Sequence, residues 1–525
     1  MNNLDYKVCI LAAGEGKRML PLTKNFNKAL LPIGFKAAIS HIIEKFPKEI
    51  EIVVAIGHER EKIIQYLLCA HSDRKIQFVE IDNISGTGSG PGYSLLCCKK
   101  YLEIPFVFSS VDTIVQEDIP IPDHNWMGVA PVKKSEEYCT ISVTDSLIVR
   151  LDDKIKCKNK EAFIGLAGIN DYKFFFDCLE DDQSLIQNER QVSSGFRSLI
   201  KKKLHPKTFT WHDIGSMDGY NNAKEKLSKQ KELFNFEKAD EYIYFVGNKV
   251  IKFFQDKNIV HKRCLRAKEL NGLCPSIENE TNFFYSYARI EGSTIYNLEK
   301  PIVVKTLLQW LDKNLWKKKY LDDKKISSFR DSCRSFYFTK TIDRLNAYYS
   351  KYKLNNPNKS INGEQVDAVS KLISKIDFNW LCNGTPTKFH GDLQFDNILL
   401  TNNSGFALLD WRQDFSGILE YGDMYYDLAK LNGGIYVSYQ KIKQNLFTFE
   451  ENLDDIKISV HSDSFLKESK KIFDDFVKKN NLDIRKIEVL TGIIFLNMAP
   501  MHHAPFNHFI YHLGRYKIHK WTNLE

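Results

Sequence analysis

No stretch of this 525-residue chain approaches the roughly 18 consecutive apolar residues needed to cross a bilayer, and Met1 to Lys7 lack the basic start and apolar run of a secretory leader. A cytoplasmic protein without membrane insertion is expected. The eleven cysteines are odd in number and never spaced as C-x-x-C, and the adjacent Cys97 and Cys98 cannot readily bridge each other, which favours a reducing compartment. Large charge excess is missing too: 74 Lys and Arg against 66 Asp and Glu leave +8, spread thinly. Nucleic acid is therefore not an expected partner, whereas anionic small molecules such as nucleotides are. Internal repeats are absent, and low complexity is confined to the Lys-rich Ala223 to Glu232. What remains is ordinary globular composition, 43% apolar and 27% charged, in a chain too long for one hydrophobic core. Two domains are expected, 1–235 and 240–525.

The first candidate site also begins with something missing. Val8-Cys9-Ile10-Leu11 reads as a buried strand that breaks into Ala12-Ala13-Gly14-Glu15-Gly16-Lys17-Arg18. That spacing fails both G-x-G-x-x-G and G-x-x-x-x-G-K-[ST], and position 19 is Met, so dinucleotide and Walker readings lose ground. A glycine loop after a strand still suits phosphate, because its N–H groups approach closely and Lys17 and Arg18 add charge. The whole string Leu11 to Gly34, LAAGEGKRMLPLTKNFNKALLPIG, resembles the signature of sugar-phosphate and phosphocholine nucleotidyltransferases. The resemblance implies that Leu11, Ala13, Gly14 and Gly16 line the nucleotide, that Arg18 helps bind the triphosphate and that Lys28 touches its phosphates. Asn27 departs from the pattern, standing where a proline usually precedes that lysine.

Alternating strand and helix signals follow, as in an open α/β sheet: Ile50 to Gly57, then Glu59 to Leu68 as helix, then Ile76 to Ile81. A second glycine-rich loop, Gly86 to Gly92, leads into a helix-like segment at a strand's carboxyl end, where such sheets bind ligand. By resemblance Gly88 helps recognise the base; a flexible connection is the plainer reading. Asp112 ends PFVFSSVD and Asp213 ends FTWHD. Two acids at neighbouring strand ends can hold the Mg²⁺ that nucleotidyl transfer needs, since both reacting partners are anions. Both positions match the family's metal aspartates, and Ala162 to Ile169 matches its intervening acceptor-side strand. The implied chemistry is attack of a substrate phosphate on the α-phosphorus of CTP or UTP, releasing pyrophosphate.

The second half opens with a hairpin, Tyr242 to Phe254, turning at Gly247-Asn248. Lys252 within it reads either as a grip on nucleotide phosphates or as a solvated strand lysine, with Glu269 as a candidate partner. Phe389 to Leu400, FHGDLQFDNILL, followed by Phe406 to Phe415, FALLDWRQDF, supplies what phosphoryl transfer requires. Asp392 is an acid to accept a hydroxyl proton, Asn397 an amide oxygen for one Mg²⁺, and Asp410 a carboxylate to bridge metals on ATP. The hairpin turn between these two strands falls at Asn402 to Gly405. The set resembles the choline kinase and aminoglycoside phosphotransferase family through His390, Gly391, Asp392, Asn397 and Asp410, and Tyr421 to Leu431 resembles that family's helix, in which Asp427 is usually structural. Arg412 departs from choline kinases, which carry an acid there, and so favours a neutral or anionic substrate. Trp380, Trp411, Tyr421, Tyr425 and Tyr426 read as packed aromatics or as an ammonium cage. His502, His503, His508, His512 and His519 read as packing or substrate contact before metal.

The expected fold class is α/β, a Rossmann-like mixed-sheet nucleotidyltransferase domain followed by a two-lobed, protein-kinase-like α+β domain. The expected activity is bifunctional: phosphorylation of a small alcohol or sugar with ATP, then nucleotidyl transfer onto that phosphate, serving surface or capsule polysaccharide. The narrower alternatives are CDP-choline or CDP-ethanolamine synthesis, or one working half beside a regulatory one. The sequence is compatible with a homo-oligomer.

Overall fold

The structure, a computed structural model, describes residues 5–227, 240–352, 359–403, 405–452 and 454–523. The described residues fall into two compact units. The first runs to 227 and adds 240–255 and 281–286; the second takes 256–280 and the described residues from 287 onward. The expected boundary near 235, the end of the Lys-rich stretch from 228 to 232, and Ser404 of the expected turn lie outside the described residues.

The first unit is built on a mixed sheet. Its strands are β1 (Lys7–Ala12), β2 (Ile52–Ile56), β3 (Ile76–Glu80), β4 (Phe106–Ser110), β6 (Trp126–Pro131), β7 (Cys139–Thr144), β8 (Leu147–Asp153), β9 (Glu161–Ile169) and β10 (His205–Thr208). The order is β8-β7-β9-β4-β1-β2-β3, with β6 pairing β9 and β10 off that path. The centre is parallel, β1 lying between β2 and β4, while β9 runs antiparallel to β4. A short ribbon, β5 (Thr113–Val115) with β11 (Trp211–Asp213), stands apart from it. Two helices follow strands as their sequence predicts, α1 (Arg60–Ala70) and α2 (Pro91–Cys98), and α3 (Met217–Leu227) follows β11.

The near-continuous apolar run of β1 is explained by burial on both faces. Val8, Ile10 and Ala12 enter one apolar cluster and Cys9, Leu11 and Ala13 the other, as the two-residue period of a strand requires. The hairpin β12 (Glu241–Val246) and β13 (Lys249–Phe254) joins the first of these clusters through Tyr244, Val246, Ile251 and Phe253. The Tyr244 hydroxyl also donates to the Leu30 carbonyl at 2.8 Å. Sequence reading gives this hairpin to the second domain; apolar burial ties it to the first unit.

In the second unit, the helices that matter for the site are α4 (Lys257–Glu269), α5 (Lys340–Tyr352), α6 (Met424–Tyr436), α7 (Ile484–Met498) and α8 (Phe506–Thr522). Strands β14 (Ile398–Thr401) and β15 (Phe406–Leu408) form the antiparallel pair that carries the aspartate loops. Helix α6 is buried almost all round, and Asp423 caps it by accepting the Tyr425 N–H. Among the described residues no helix is long and apolar enough to cross a membrane.

Candidate active sites

The loop after β1 is held open by local bonds. Gly16 sits at φ +67°, a conformation that glycine adopts without steric cost, and its carbonyl accepts the Thr23 hydroxyl at 2.8 Å. Asn27, the departure from the expected proline, is buried and does a proline's stiffening by other means. Its amide donates to the Ala12 and His58 carbonyls at 3.0 and 2.7 Å, and its side-chain oxygen accepts the Ala29 N–H at 2.8 Å. Lys28 is thereby presented at the start of a short helical turn, where its ammonium meets Asp112 Oδ2 at 2.6 Å.

Strand register brings the two aspartates together. Asp112 follows β4 directly before β5, whose Thr113 lies opposite Asp213 in β11, and the Ile214 N–H donates to the Asp112 carbonyl at 3.1 Å. A Cβ built on Gly215 would lie 3.0 Å from Asp213 Oδ1, 3.1 Å from Asp112 Oδ2 and 3.2 Å from Arg18 Nη2. Glycine there leaves two carboxylates and a guanidinium facing one small space. Ser110 donates to Asp112 Oδ1 at 2.6 Å, while Asp213 accepts the Tyr138 hydroxyl at 3.0 Å and the Gly215 N–H at 2.8 Å.

The two acids are driven apart electrically. Burial raises the Asp112 carboxyl, but Lys28, Ser110 and Arg18 outweigh it and hold it down at about 2. Burial and the Asp112 charge raise Asp213 against the hydrogen bonds from Gly215 and Tyr138. Two half-buried carboxylates of this kind fit a hard divalent cation that takes its other ligands from substrate phosphates and water. A cavity of about 390 Å³ opens beside Asp213, lined by Lys133, Lys134, Tyr138, Trp211 and Lys226. The second glycine loop lies against 188–191: the Gly88 N–H donates to the Asn188 carbonyl at 2.9 Å and the Gly92 N–H to that of Arg190 at 2.8 Å.

In the second unit the same sequence logic yields a different arrangement. Buried Asp427 accepts the His390 and Gly391 N–H groups at 2.8 and 2.7 Å, fixing the loop that carries Asp392. Gly391 stands at φ +86°, and a Cβ there would meet the Arg412 Cβ at 2.6 Å. The Arg412 N–H donates to the His390 carbonyl at 2.9 Å and the Leu409 N–H to that of Asn397 at 2.7 Å, lacing the two loops together. Asn397 donates to the Asp392 carbonyl at 2.9 Å and to its carboxylate at 3.3 Å. Lys430 pairs with Asp392 at 2.6 Å and Arg263 with Asp410 at 2.5 Å. Burial pushes Asp392 up, and Lys430 more than reverses it, leaving the carboxyl below its ordinary range. Burial drives His390 down to about 4, so its ring is neutral at pH 7.

Several residues of these sites were not singled out by sequence: Tyr138, Ser110 and Gly215 in the first, Lys430 and Arg263 in the second. Lys430 had a usable signal, since it lies three residues after Asp427 and shares its helix face. Lys252 lies opposite Ile243 in the hairpin of the first unit, and Glu269 ends α4 in the second, its carbonyl accepting from Lys388 at 2.8 Å. The aromatic group does not form one cage. The Lys486 ammonium lies 4.8 Å from the Tyr425 ring and 5.6 Å from Trp380, Trp411 is buried, and Tyr426 packs on Phe336. Of the C-terminal histidines, His508 and His512 stack on Phe449.

Residues 7–103 match the family described as Nucleotidyl transferase. That match lies within the first unit. The chain is 32% identical over 221 residues to the Bifunctional protein GlmU of Methanococcus vannielii, covering 39% of this chain and 51% of that protein. It is 24% identical over 245 residues to the Low-salt glycan biosynthesis nucleotidyltransferase Agl11 of Haloferax volcanii, covering 43% of this chain and 67% of that protein. It spans about half the length of the GlmU proteins it matches. Among solved structures, a UDP-glucose pyrophosphorylase complexed with UDP-glucose is similar at 19% identity and a TM-score of 0.37, covering 42% of this chain and 98% of that one.

Proposed function

We propose that this chain is a bifunctional enzyme: its second unit phosphorylates a small hydroxyl compound with ATP, and its first unit transfers a nucleotidyl group from CTP or UTP onto the resulting phosphate. The observation that carries the first activity is the convergence of Asp112, Asp213 and Arg18 on the space beside Gly215. Mg²⁺ held by Asp112 and Asp213 would neutralise charge between the two anionic reactants. Arg18 and Lys28 bind and orient the triphosphate, and the lysine-lined cavity beside Asp213 receives the acceptor's phosphate. No side-chain nucleophile is required; positioning and charge neutralisation account for the rate.

For the second activity, support comes from the laced loops that set Asp392, Asn397 and Asp410 around one strand pair. Asp392 would accept the substrate hydroxyl's proton, and Asn397 and Asp410 would hold the Mg²⁺ that neutralises charge on ATP. Lys252 and Glu269 remain candidate nucleotide contacts, as does Gly88 for the base in the first unit. The domain limits proposed are 1–235 and 240–525, with the hairpin 241–254 contributing apolar surface to the first unit. A cytoplasmic enzyme supplying activated precursors for surface polysaccharide is the cellular reading, and similarity to a glycan biosynthesis nucleotidyltransferase supports it.

The test is a paired assay on the full chain, pyrophosphate release from CTP and UTP with a set of phosphate esters, and ADP release from ATP with the parent alcohols. Both activities are expected. Pyrophosphate without ADP would leave a nucleotidyltransferase with a binding module, and neither product would remove the proposal.

A further inference from the structure

The second unit concentrates positive charge beside Asp392. Between the helix Asp323–Arg334 and α5 lies a π-helical turn, Ser335–Thr339, an irregularity that re-aims the side chains after it and is frequent at functional sites. The first residue after it is Lys340, whose ammonium lies 4.0 Å from the centre of the Phe336 ring. The Arg412 guanidinium carbon lies 4.7 Å from the same ring. Arg344, one turn along α5, donates to the Asn497 carbonyl at 3.0 Å. The charged groups that weigh most on Lys340 are Arg412, then Arg344 and Lys430, with Asp392 opposing them. Asp392 is already paired with Lys430 at 2.6 Å.

These cations are short of counter-charge. The Arg412 Nε is buried without a hydrogen-bond partner. One aromatic ring between two basic side chains offers only partial compensation. Burial first, and after it Arg412, Arg344 and Lys430, press Lys340 down to about 5, so that at pH 7 its amine is neutral and takes up a proton when an anion comes beside it. Lys340, Arg344 and Arg412 are nevertheless part-exposed, so the cluster is reachable from solvent. Such an arrangement favours an arriving anion, which offsets the guanidinium charges and draws a proton onto Lys340.

We propose that the hydroxyl compound accepted by the second unit is itself an anion, its carboxylate, phosphonate or phosphate held by Lys340, Arg344 and Arg412 while its hydroxyl faces Asp392. This deepens the kinase reading above and rests on it. In the step, the substrate hydroxyl oxygen bonds to the γ-phosphorus of ATP as the bond from that phosphorus to the β–γ bridging oxygen breaks. The electron pair leaves with ADP, and the hydroxyl proton passes to Asp392. The product carries two anionic groups, of which the new phosphate is the one the first unit would activate.

Titration calorimetry on the full chain, with D-glycerate, 2-hydroxyethylphosphonate, glycerol and choline as probes, tests the site independently of turnover. At least one of the two anions is expected to bind tenfold or more tightly than glycerol or choline; which one does so distinguishes carboxylate from phosphonate recognition. Lys340→Met and Arg412→Gln should each weaken that anion tenfold or more while ATP affinity stays within twofold, and Arg344→Gln supplies a third variant should one of these fail to fold. In ADP release the same variants should raise KM more than they lower kcat. The proposal is overturned if neither anion binds, if choline or glycerol binds as well, or if the variants chiefly cost ATP affinity. Variant-sensitive anion binding without any ADP release would sink the kinase reading and leave the anion site standing, whereas efficient phosphorylation of choline would do the reverse.

Discussion

The two units hold their carboxylates in opposite ways. In the first, Asp112 and Asp213 face one space with Arg18 nearby, Lys28 pairs with Asp112, and the two are split into one strongly acidic and one reluctant acid. In the second, each acid has its own cation, Lys430 for Asp392 and Arg263 for Asp410. A pair that shares one space suits a divalent ion, because the Asp112 charge presses on Asp213 and an ion between them would relieve it. Acids already matched to cations are stabilised without an ion, and ligand must compete with those partners. The same residue type therefore serves two designs, and neighbouring charge decides which.

The largest expected effect separates the two centres outright. Asp213→Ala should lower pyrophosphate release about 10³-fold with ADP release intact, and Asp392→Asn should do the converse. Loss of both activities from either change would mean that the two centres do not act separately.

A second contrast is in pH. Buried His71, hydrogen-bonded to Ser40 at 2.8 Å in the first unit, is pushed by burial down to about 4. Between pH 6.5 and 4 the unfolded chain gains this proton and the folded one does not, so stability from His71 is lost as pH falls through that window. Asp427 in the second unit is pushed by burial up to about 6. Between pH 4 and 6 the folded chain keeps a proton that the unfolded one gives up, so stability from Asp427 is lost as pH rises. Each swing is about 3 kcal/mol at most. Hydrogen exchange resolved by unit should show His71→Gln flattening the first response and Asp427→Asn the second; unchanged slopes would count against these buried titrations.

Smaller still is Asn27→Ala, which strands two carbonyls and an N–H around the first loop. A loss of about 2 kcal/mol is expected, read as a lower melting temperature of the first unit. Smallest is Gly215→Ala, where a methyl would sit 3.0 to 3.2 Å from both carboxylates and Arg18. It should cost pyrophosphate release about tenfold through misplacement, with melting unchanged. A neutral result would show that the space beside Gly215 tolerates expansion.

Strand periodicity and loop chemistry made β1, its glycine loop and the aspartate-bearing strand ends legible in advance, because alternation, glycine and terminal acids are local signals. The partners of those acids were not legible. Tyr138 meets Asp213 and Gly215 comes beside Asp112 because β5 pairs with β11 and β7 begins at Cys139, beside Tyr138, whereas Ser110 reaches Asp112 from only two residues away. Lys340 comes to lie near Arg412 across more than seventy residues. Even the hairpin 241–254 reads correctly as a hairpin yet takes its place from apolar surface it buries elsewhere.

By itself, the sequence determined which residues can carry phosphate chemistry and on which loops they stand, since backbone freedom, strand period and charge type are properties of short segments. The tertiary structure alone decided which charges face one another, and with it the protonation of each acid and the sign of the space left for substrate. Coulomb energy depends on distance and burial, and neither is written in the spacing of residues along a chain.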